Sequence, residues 1–393
     1  MSPVDLILIV ASISFGVAGF RQGFLIGFCA FTGFLAGGII GIGIAPKIVG
    51  ILGSQLGQAI FAVAVVLSLA TVGQLLGSVA GTELRRRLTW RPGHVIDAST
   101  GAVFGVVSLL VVAWFVGNAL ARAPIPNITT EVRRSEILAG VNKVMPSGVA
   151  ALDRSLSRLL NKNGLTQVFG PFDNERILPV NPPDSSSLTS AAVQTAAGSV
   201  VKVEGAALSC RKALEGSGFV FAPQHVMTNA HVVAGVTSPT VSVRGTGKKL
   251  QGRVVLFDYR RDVAVIYVPG LSAPTLNFDT SGVRRNDAVA VGFPLDGPLK
   301  FVSARIREEI NARGPDIYDS GSVDRDVFSI YSQIEPGNSG GPLVSVTGGV
   351  YGVVFAKSVE SSETGYVLTA KEVQTDAQSA QDLTTSVDTK GCV

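Results

Sequence analysis

A serine flanked by glycines near the C-terminal end of the chain has the neighbours that covalent catalysis requires. Ser339 lies in the run Pro-Gly-Asn-Ser-Gly-Gly-Pro at residues 336–342. The glycines leave the approach to the hydroxyl open and let the backbone turn sharply. Such a turn can place the amides of Gly337 and Ser339, with Asn338 between them, as an oxyanion hole. A serine nucleophile also needs a base, which must come from elsewhere in the chain.

One histidine and one aspartate are candidates for the base and its orienting acid. His231, one of 3 histidines, follows a predicted strand that ends in Thr-Asn-Ala. Asp262 begins the run Asp-Val-Ala-Val-Ile-Tyr-Val, which reads as an apolar strand. An imidazole can take the serine proton, and a carboxylate can hold the imidazole in the required tautomer. The residues therefore predict acyl transfer by a triad of His231, Asp262 and Ser339, which needs no metal and no cofactor.

Short apolar strands must position these residues. From about residue 191 onwards such strands alternate with Gly, Pro, Asn and Asp, for example at 218–222, 263–268 and 350–355. This spacing predicts an all-β sandwich or barrel, and roughly 200 residues suffice for two small barrels. We therefore predict a β domain over residues 191–393.

The N-terminal third has a different composition. The chain is 46% hydrophobic and only 16% charged, and charges are scarce before residue 120. Apolar segments of about 20 residues, the length of a membrane-spanning helix, are Val4–Phe20, Phe24–Ala45, Ala59–Val79 and Ala98–Leu120. They predict a four-helix transmembrane bundle over residues 1–122, with the first segment retained as a span instead of cleaved as a signal peptide. The lipid bilayer is thus an expected partner. The net charge of +4, with no dense basic patch outside one short loop, argues against nucleic acid as a partner.

Basic residues in the loops predict the orientation of the bundle. Arg21 lies between the first two segments, and more arginines lie between the third and fourth, at Arg85, Arg86, Arg87 and Arg91. Because loops rich in Arg and Lys stay in the cytoplasm, both loops are expected on that side. The chain beyond Leu120 is then extracytoplasmic, in a periplasm-like space at the cell membrane.

Glycines recur every fourth residue in the second segment, at Gly33, Gly37 and Gly41. This spacing allows close helix contact, and we favour packing inside the bundle over dimerisation. Residues 123–190 read as a connector: a polar helix over 129–144, an amphipathic helix over 149–160, and a Pro/Ser-rich linker near 181–187.

The motifs Thr-Asn-Ala-His, Asp-Val-Ala-Val and Gly-Asn-Ser-Gly-Gly-Pro, with Gly-Ser-Gly-Phe-Val at 216–220 and Val-Gly-Phe-Pro at 291–294, resemble the chymotrypsin-like, or trypsin-like, serine proteases and most closely their short bacterial branch. The resemblance implies a double β-barrel, with His231 and Asp262 from the first barrel and Ser339 from the second.

The first 120 or so residues resemble the colicin V production protein family. The combined order is similar to the membrane-anchored periplasmic serine proteases of mycobacterial acid resistance. The resemblance implies a serine endopeptidase that cleaves cell-envelope proteins, in envelope or in acid and oxidative stress resistance.

The resemblance also implies a specificity pocket near Gln333, Gly365 and the strand formed by Phe355, Ala356 and Lys357. Gln333 matches the base of the pocket, where a carboxylate would select Arg or Lys. Since glutamine carries no charge, we do not expect a preference for basic side chains.

Two of the 3 cysteines can form a disulfide. Cys210 and Cys392 lie outside the membrane in the predicted topology, where oxidation is possible, whereas Cys29 lies inside the second span. A bond would secure a polar C-terminal tail that has little apolar surface to dock with. Two unpaired thiols are the alternative, because sequence cannot show the distance between Cα atoms.

Two other readings remain open from the sequence. The protease-like domain could be a non-catalytic sensor or scaffold, or the membrane bundle could be an export factor with an accessory protease. The sequence does not indicate the physiological substrate or the oligomeric state.

Overall fold

The computed structural model describes residues 2–49, 55–87, 90–121, 126–146, 149, 168–169, 175–210 and 212–393. The chain divides into two compact units. We call the first, Met1–Ala119 with Arg134–Met145, the membrane unit, and the second, Leu120–Arg133 with Pro146–Val393, the protease unit, after the properties predicted from their sequences.

Long apolar helices make up most of the membrane unit. They are α1 (Pro3–Gln22), α2 (Phe24–Val49), α3 (Gln55–Arg86) and α4 (Arg91–Ala121). Each contains a stretch long and apolar enough to cross a membrane, with mean hydropathy between 1.7 and 2.2. All four predicted segments are therefore helical.

The connector begins with two short helices where the sequence predicted one. They are α5 (Pro126–Arg133) and α6 (Glu136–Val144). The break comes at Ser135, whose side chain accepts a hydrogen bond from the amide of Leu138 at 3.2 Å and so starts α6 as an N-cap. The predicted amphipathic helix over 149–160 lies outside the described residues except for Val149.

Glycines bring α2 and α3 into backbone contact. A Cβ atom added to Gly33 would overlap the carbonyl oxygen of Gly73, and one added to Gly37 would overlap that of Leu69. From the other side, a Cβ on Gly77 would overlap the carbonyl oxygen of Cys29. Small residues thus serve packing within the bundle, because lipid tails offer no hydrophobic drive to bring helices together.

One buried carboxylate in α4 was not noticed in the sequence. Asp97 accepts a hydrogen bond from the amide of Leu25 at 2.9 Å, and its second oxygen lies 2.9 Å from Nε of Arg85. The aspartate therefore satisfies one of the free amides at the start of α2 and is itself paired with a cation.

The first half of the protease unit is a seven-stranded antiparallel sheet in the order β5-β4-β1-β2-β3-β7-β6. The strands are β1 (Val200–Ala207), β2 (Lys212–Ala222), β3 (His225–Thr228), β4 (Thr240–Val243), β5 (Leu250–Gln251), β6 (Arg253–Asp258) and β7 (Val263–Tyr267). The two edge strands, β5 and β6, are separated in the chain by Gly252 alone. The sheet therefore curls until its edges meet, and this curled sheet stands where the sequence predicted the first barrel.

The second half is a closed six-stranded barrel in the order β10-β13-β12-β11-β8-β9. Its strands are β8 (Asp287–Gly292), β9 (Lys300–Pro315), β10 (Ser322–Tyr331), β11 (Pro342–Ser345), β12 (Val350–Lys357) and β13 (Thr364–Thr369). Helix α7 (Ala191–Ala196) precedes both halves and α9 (Ala370–Ala380) follows them, with the one-turn α8 (Ala230–Val233) between β3 and β4. This arrangement of a curled sheet followed by a closed barrel agrees with the double β-barrel that the sequence predicted.

The protease unit uses residues that precede its predicted start at residue 191. Val168 is buried in the same core as Tyr366, and the ring of Phe169 lies edge-on to the Tyr366 ring with centroids 5.4 Å apart. The Tyr366 hydroxyl donates to Glu175 at 3.0 Å. Burial raises the pKa of this phenol well above its usual range, so the hydroxyl stays a donor.

The glycine contact predicts a position-specific effect on the membrane unit. Gly37→Leu should push α2 away from α3 and cost about 1–3 kcal/mol, as overpacking does, whereas Gly43→Leu should be tolerated because nothing lies within 4 Å of its added Cβ. Both tryptophans, Trp90 and Trp114, belong to this unit. Tryptophan fluorescence during thermal unfolding in detergent should therefore show a lower midpoint for Gly37→Leu only; equal midpoints for the two variants would contradict the contact.

Candidate active site

A fully buried aspartate fixes the candidate base at two points. The backbone amide of His231 donates to Oδ1 of Asp262 at 2.9 Å, and Nδ1 of the ring lies 2.7 Å from Oδ2. Asp262 has no solvent exposure and His231 has 7%. Because the carboxylate can only accept, Nδ1 carries the proton, and Nε2 is the nitrogen that can act as a base.

The backbone at Asp262 is held in an unusual conformation. Its φ is +66°, in the left-handed region that few residues other than glycine adopt. The Asp262 carbonyl accepts from the side-chain amide of Asn229 at 2.8 Å. Earlier in the same loop, Oδ1 of Asp258 accepts hydrogen bonds from the amides of Arg260 and Arg261 at 2.9 and 3.0 Å. These hydrogen bonds fix the loop between β6 and β7 and so stabilise the strained backbone of Asp262, as is common at active sites.

Contacts with β2 bring Ser339 beside the turn that carries His231. The amide of Ser217 donates to the Ser339 carbonyl at 2.8 Å. A Cβ on the neighbouring Gly216 would lie 2.7 Å from a methyl group of Val232 and 3.1 Å from the Ser339 carbonyl oxygen. Val232 is the residue after His231, so one glycine separates the nucleophile's backbone from α8.

The hydroxyl of Ser339, the candidate nucleophile, is almost completely buried and makes no hydrogen bond to the described residues. Ser339 is 3% exposed, and its Oγ has no hydrogen-bond partner among the described residues. Without substrate, catalytic hydrogen bonds are often long and tighten only in the reacting complex. The hydroxyl is therefore available to a substrate carbonyl.

The turn before Ser339 contains the amides that the sequence predicted as oxyanion donors. Gly337 has φ +93°, and the carbonyl of the preceding Pro336 accepts from the amide of Leu295 at 2.7 Å. Since C=O and N–H point in opposite directions across a trans peptide, this bond turns the Gly337 amide away from Leu295. The amide of Asn338 instead donates to the Glu335 carbonyl at 3.1 Å. In this structure the Asn338 amide is therefore engaged within the turn, and the amides of Gly337 and Ser339 are the other two predicted oxyanion donors.

The pocket residues predicted from sequence occupy three different environments. The Gln333 side chain is exposed, whereas the next residue, Ile334, is 1% exposed and packs so closely on Gly365 that a Cβ there would overlap it. Phe355 and Ala356 are buried in the core.

Lys357 is the fifth predicted pocket residue. Its Nζ lies 3.4 Å from a carboxylate oxygen of Glu335. The strand segment 355–357 pairs with β13, and β11 pairs only with β12 residues 350–353. Within the described residues, no strand pairs with the other edge of this segment.

The disulfide between Cys210 and Cys392 is present, with Cα atoms 6.5 Å apart. It ends a C-terminal tail that is bound along the curled sheet. The amide of Gly235 donates to the Thr389 carbonyl at 3.0 Å, and the Tyr318 hydroxyl donates to the Gly391 carbonyl at 2.8 Å. The tail is therefore held by backbone bonds as well as by the covalent link.

Comparison with known proteins agrees with this architecture. Residues 216–353 match the trypsin-like peptidase domain, and residues 4–146 match the colicin V production protein family. Serine protease Rv3671c of Mycobacterium tuberculosis is 37% identical over 373 residues, which are 94% of each chain. The putative serine protease HhoB of Synechocystis is 34% identical over 181 residues, 45% of this chain and 41% of that one. The crystal structure of the Rv3671c protease in its active form aligns with a TM-score of 0.54 at 41% identity, covering 58% of this chain and all of the other.

The tail predicts a large contribution of the disulfide to stability. It links residues 182 positions apart, and chain-entropy estimates for so long a loop give about 5 kcal/mol. Cys210→Ser should lower the free energy of unfolding of the protease unit, expressed with Val168 and Phe169 included, by up to about 5 kcal/mol. Urea titration followed by far-ultraviolet circular dichroism measures it. Reductant should destabilise the wild type and leave Cys210→Ser unchanged; a wild type insensitive to reductant would contradict the prediction.

Proposed function

This chain belongs to the family of membrane-associated, trypsin-like serine proteases that includes Rv3671c, and we propose that it cleaves peptide bonds with Ser339, His231 and Asp262 as its catalytic triad. The observation that carries the proposal is the buried pair of Asp262 and His231, joined at 2.7 Å beside the glycine-flanked Ser339. A buried carboxylate that orients one histidine near a free serine hydroxyl is what nucleophilic acyl transfer requires.

The chemistry follows from these positions. Ser339 Oγ attacks the peptide carbonyl carbon while His231 Nε2 takes the hydroxyl proton. Asp262 stabilises the imidazolium through Nδ1, and the amides of Gly337 and Ser339 donate to the oxyanion. The tetrahedral intermediate then collapses, the C–N bond breaks, and the imidazolium gives its proton to the leaving amine. Water, activated by the same histidine, releases the acyl group from Ser339.

The pocket supports a preference for an apolar side chain next to the cleaved bond. Buried Ile334 packs against Gly365, and the described residues place no carboxylate at that position; the carboxylate of Glu335 lies beside Lys357 instead. A basic substrate side chain would leave its charge unpaired here, which is costly.

We further propose that the protease unit faces the extracytoplasmic side of the cell membrane and acts on cell-envelope proteins. The basic residues at the ends of α1 and α3 support this orientation, and so does the disulfide, since such bonds persist in oxidising compartments. A role in acid or oxidative stress is part of the proposal. Comparing the envelope proteins of wild-type and Ser339→Ala cells under such stress would test both, and identical proteomes would count against them.

The triad predicts strongly non-additive kinetics. Ser339→Ala and His231→Ala should each lower kcat by about 10⁴-fold or more, and the double variant should be little worse than either, because triad residues act as a unit. The matched control is His225→Ala, which removes the other histidine of the protease unit, a ring whose nitrogens lie 2.8 Å from the carbonyls of Pro223 and Leu383. It should keep turnover per folded molecule within a few-fold. Losses that simply multiply in the double variant would refute the assignment.

The orientation predicts opposite labelling of two engineered cysteines. In a Cys29→Ser background the native pair is bonded and unreactive. Ser186→Cys should react with a membrane-impermeant maleimide added to intact cells, and Arg86→Cys should react only after the cells are permeabilised. The reverse pattern would place the protease unit in the cytoplasm and exclude envelope substrates.

A further inference from the structure

A buried arginine of the second barrel supports the loop of the catalytic acid. Arg325 lies on β10 and is 1% exposed. Its Nε donates to the carbonyl of Arg260 at 3.2 Å, its Nη2 donates to the same carbonyl, and Nη2 also donates to the Pro315 carbonyl at 2.9 Å. Arg260 stands two positions before Asp262. The planar fork of a guanidinium can hold one carbonyl with two nitrogens, which the point charge of a lysine cannot do.

The charge of this guanidinium is not neutralised by a close ion pair. Within the described part of the chain no carboxylate lies within 4 Å of Arg325, and its Nη1 is buried without a hydrogen-bond partner. Burial lowers the pKa of Arg325, and the carboxylate that opposes this most strongly is Asp262. A buried cation is costly unless something compensates for it.

Other charges near the loop are already committed. The charged or titratable groups around it include Asp258, Arg260, Arg261, Asp316, Tyr318, Glu372, Asp376 and Asp388. Asp258 accepts the amides of Arg260 and Arg261, and Asp316 accepts the amides of Tyr318 and Ser320.

We propose that Arg325 is a positioning residue for catalysis. From the second barrel it holds the backbone of the loop before Asp262, and its positive charge acts electrostatically on the Asp262–His231 pair. The proposal rests on the proposed triad. It gives two consequences that differ from those of a purely structural arginine. Loss of the fork should misplace the acid and lower kcat, and loss of the charge should make protonated His231 easier to form.

The sign of the pH effect follows from electrostatics. A nearby cation disfavours the imidazolium and favours the ionised carboxylate, so both effects extend activity towards lower pH. Without the cation, His231 becomes protonated at higher pH and can no longer act as a base. The acid limb of the activity profile should therefore move upward, by about one pH unit for a neighbouring charge.

Arg261 provides a matched control in the same loop. Its Nη2 lies 2.7 Å from Oδ1 of Asp376 on α9, and its Nε lies 2.7 Å from Asp258. It thus fastens the same loop, but unlike Arg325 its guanidinium is paired closely with two carboxylates, those of Asp376 and Asp258.

The test uses the full chain in detergent, with active sites counted by a fluorophosphonate and kcat and KM measured between pH 4.5 and 8. Arg325→Met should lower kcat per active site on the order of 10- to 100-fold, leave KM within about twofold, and move the acid midpoint up by about one unit. Arg325→Lys should keep the wild-type midpoint, because the charge remains, and recover only part of kcat. Arg261→Met should leave the midpoint unchanged.

Other results overturn the proposal. If Arg325→Met only reduces the number of active sites, with kcat per site and midpoint unchanged, the arginine is merely structural. If Arg325→Met does not fold, Arg325→Lys decides: reduced kcat per site at an unchanged midpoint supports the proposal, and wild-type kcat refutes it. A wild type that neither labels nor cleaves peptides would refute the triad itself, and the role of Arg325 with it.

Discussion

A carboxylate without solvent exposure must have its charge satisfied inside the protein, and much of the protease unit depends on how Asp262 meets this requirement. One residue, His231, supplies two of its hydrogen bonds, from the backbone and from the ring. A histidine can do so only if its own backbone turns next to the carboxylate, which accounts for the single helical turn of α8. Removing either partner would leave a buried group unpaired, so folding and catalysis share one constraint.

The two units solve the problem of packing in different ways. The protease unit buries the valine-rich faces of its strands in hydrophobic cores, because apolar side chains associate to leave water. In lipid that drive is absent, and α2 and α3 instead meet through glycines that let backbone atoms touch. Glycine therefore has two roles. In the helices it lets two backbones come into contact, whereas at Gly337 it allows a φ of +93°.

Local sequence was enough to predict the four helices and the disulfide, and to propose the triad residues, because hydropathy, short motifs and cysteine count are properties of neighbouring residues. It was not enough for Arg325, whose partner Arg260 is 65 positions away, or for Glu175, which meets Tyr366 across 191 positions. Local sequence also did not distinguish Gln333, whose side chain is exposed, from Ile334, which is buried against Gly365, because side-chain direction along an extended chain reverses with a single step. The hydrogen bond of the Asn338 amide to the Glu335 carbonyl depends on the turn around Gly337, which the short motif does not define.

The bond between Cys210 and Cys392 makes the catalytic part of the chain a covalent ring. His231, Asp262 and Ser339 all lie inside it, and the apolar helices lie outside. A protease that nicks one exposed loop within the ring leaves both fragments attached, with the backbone bonds of the tail still holding them. A cut between α4 and Val168, where the described core of the protease unit begins, breaks the covalent link between the apolar helices and an intact ring. The two cysteines thus divide the chain into two regions. A single cut inside the ring leaves the fragments linked, and a cut before it releases the ring from the apolar helices.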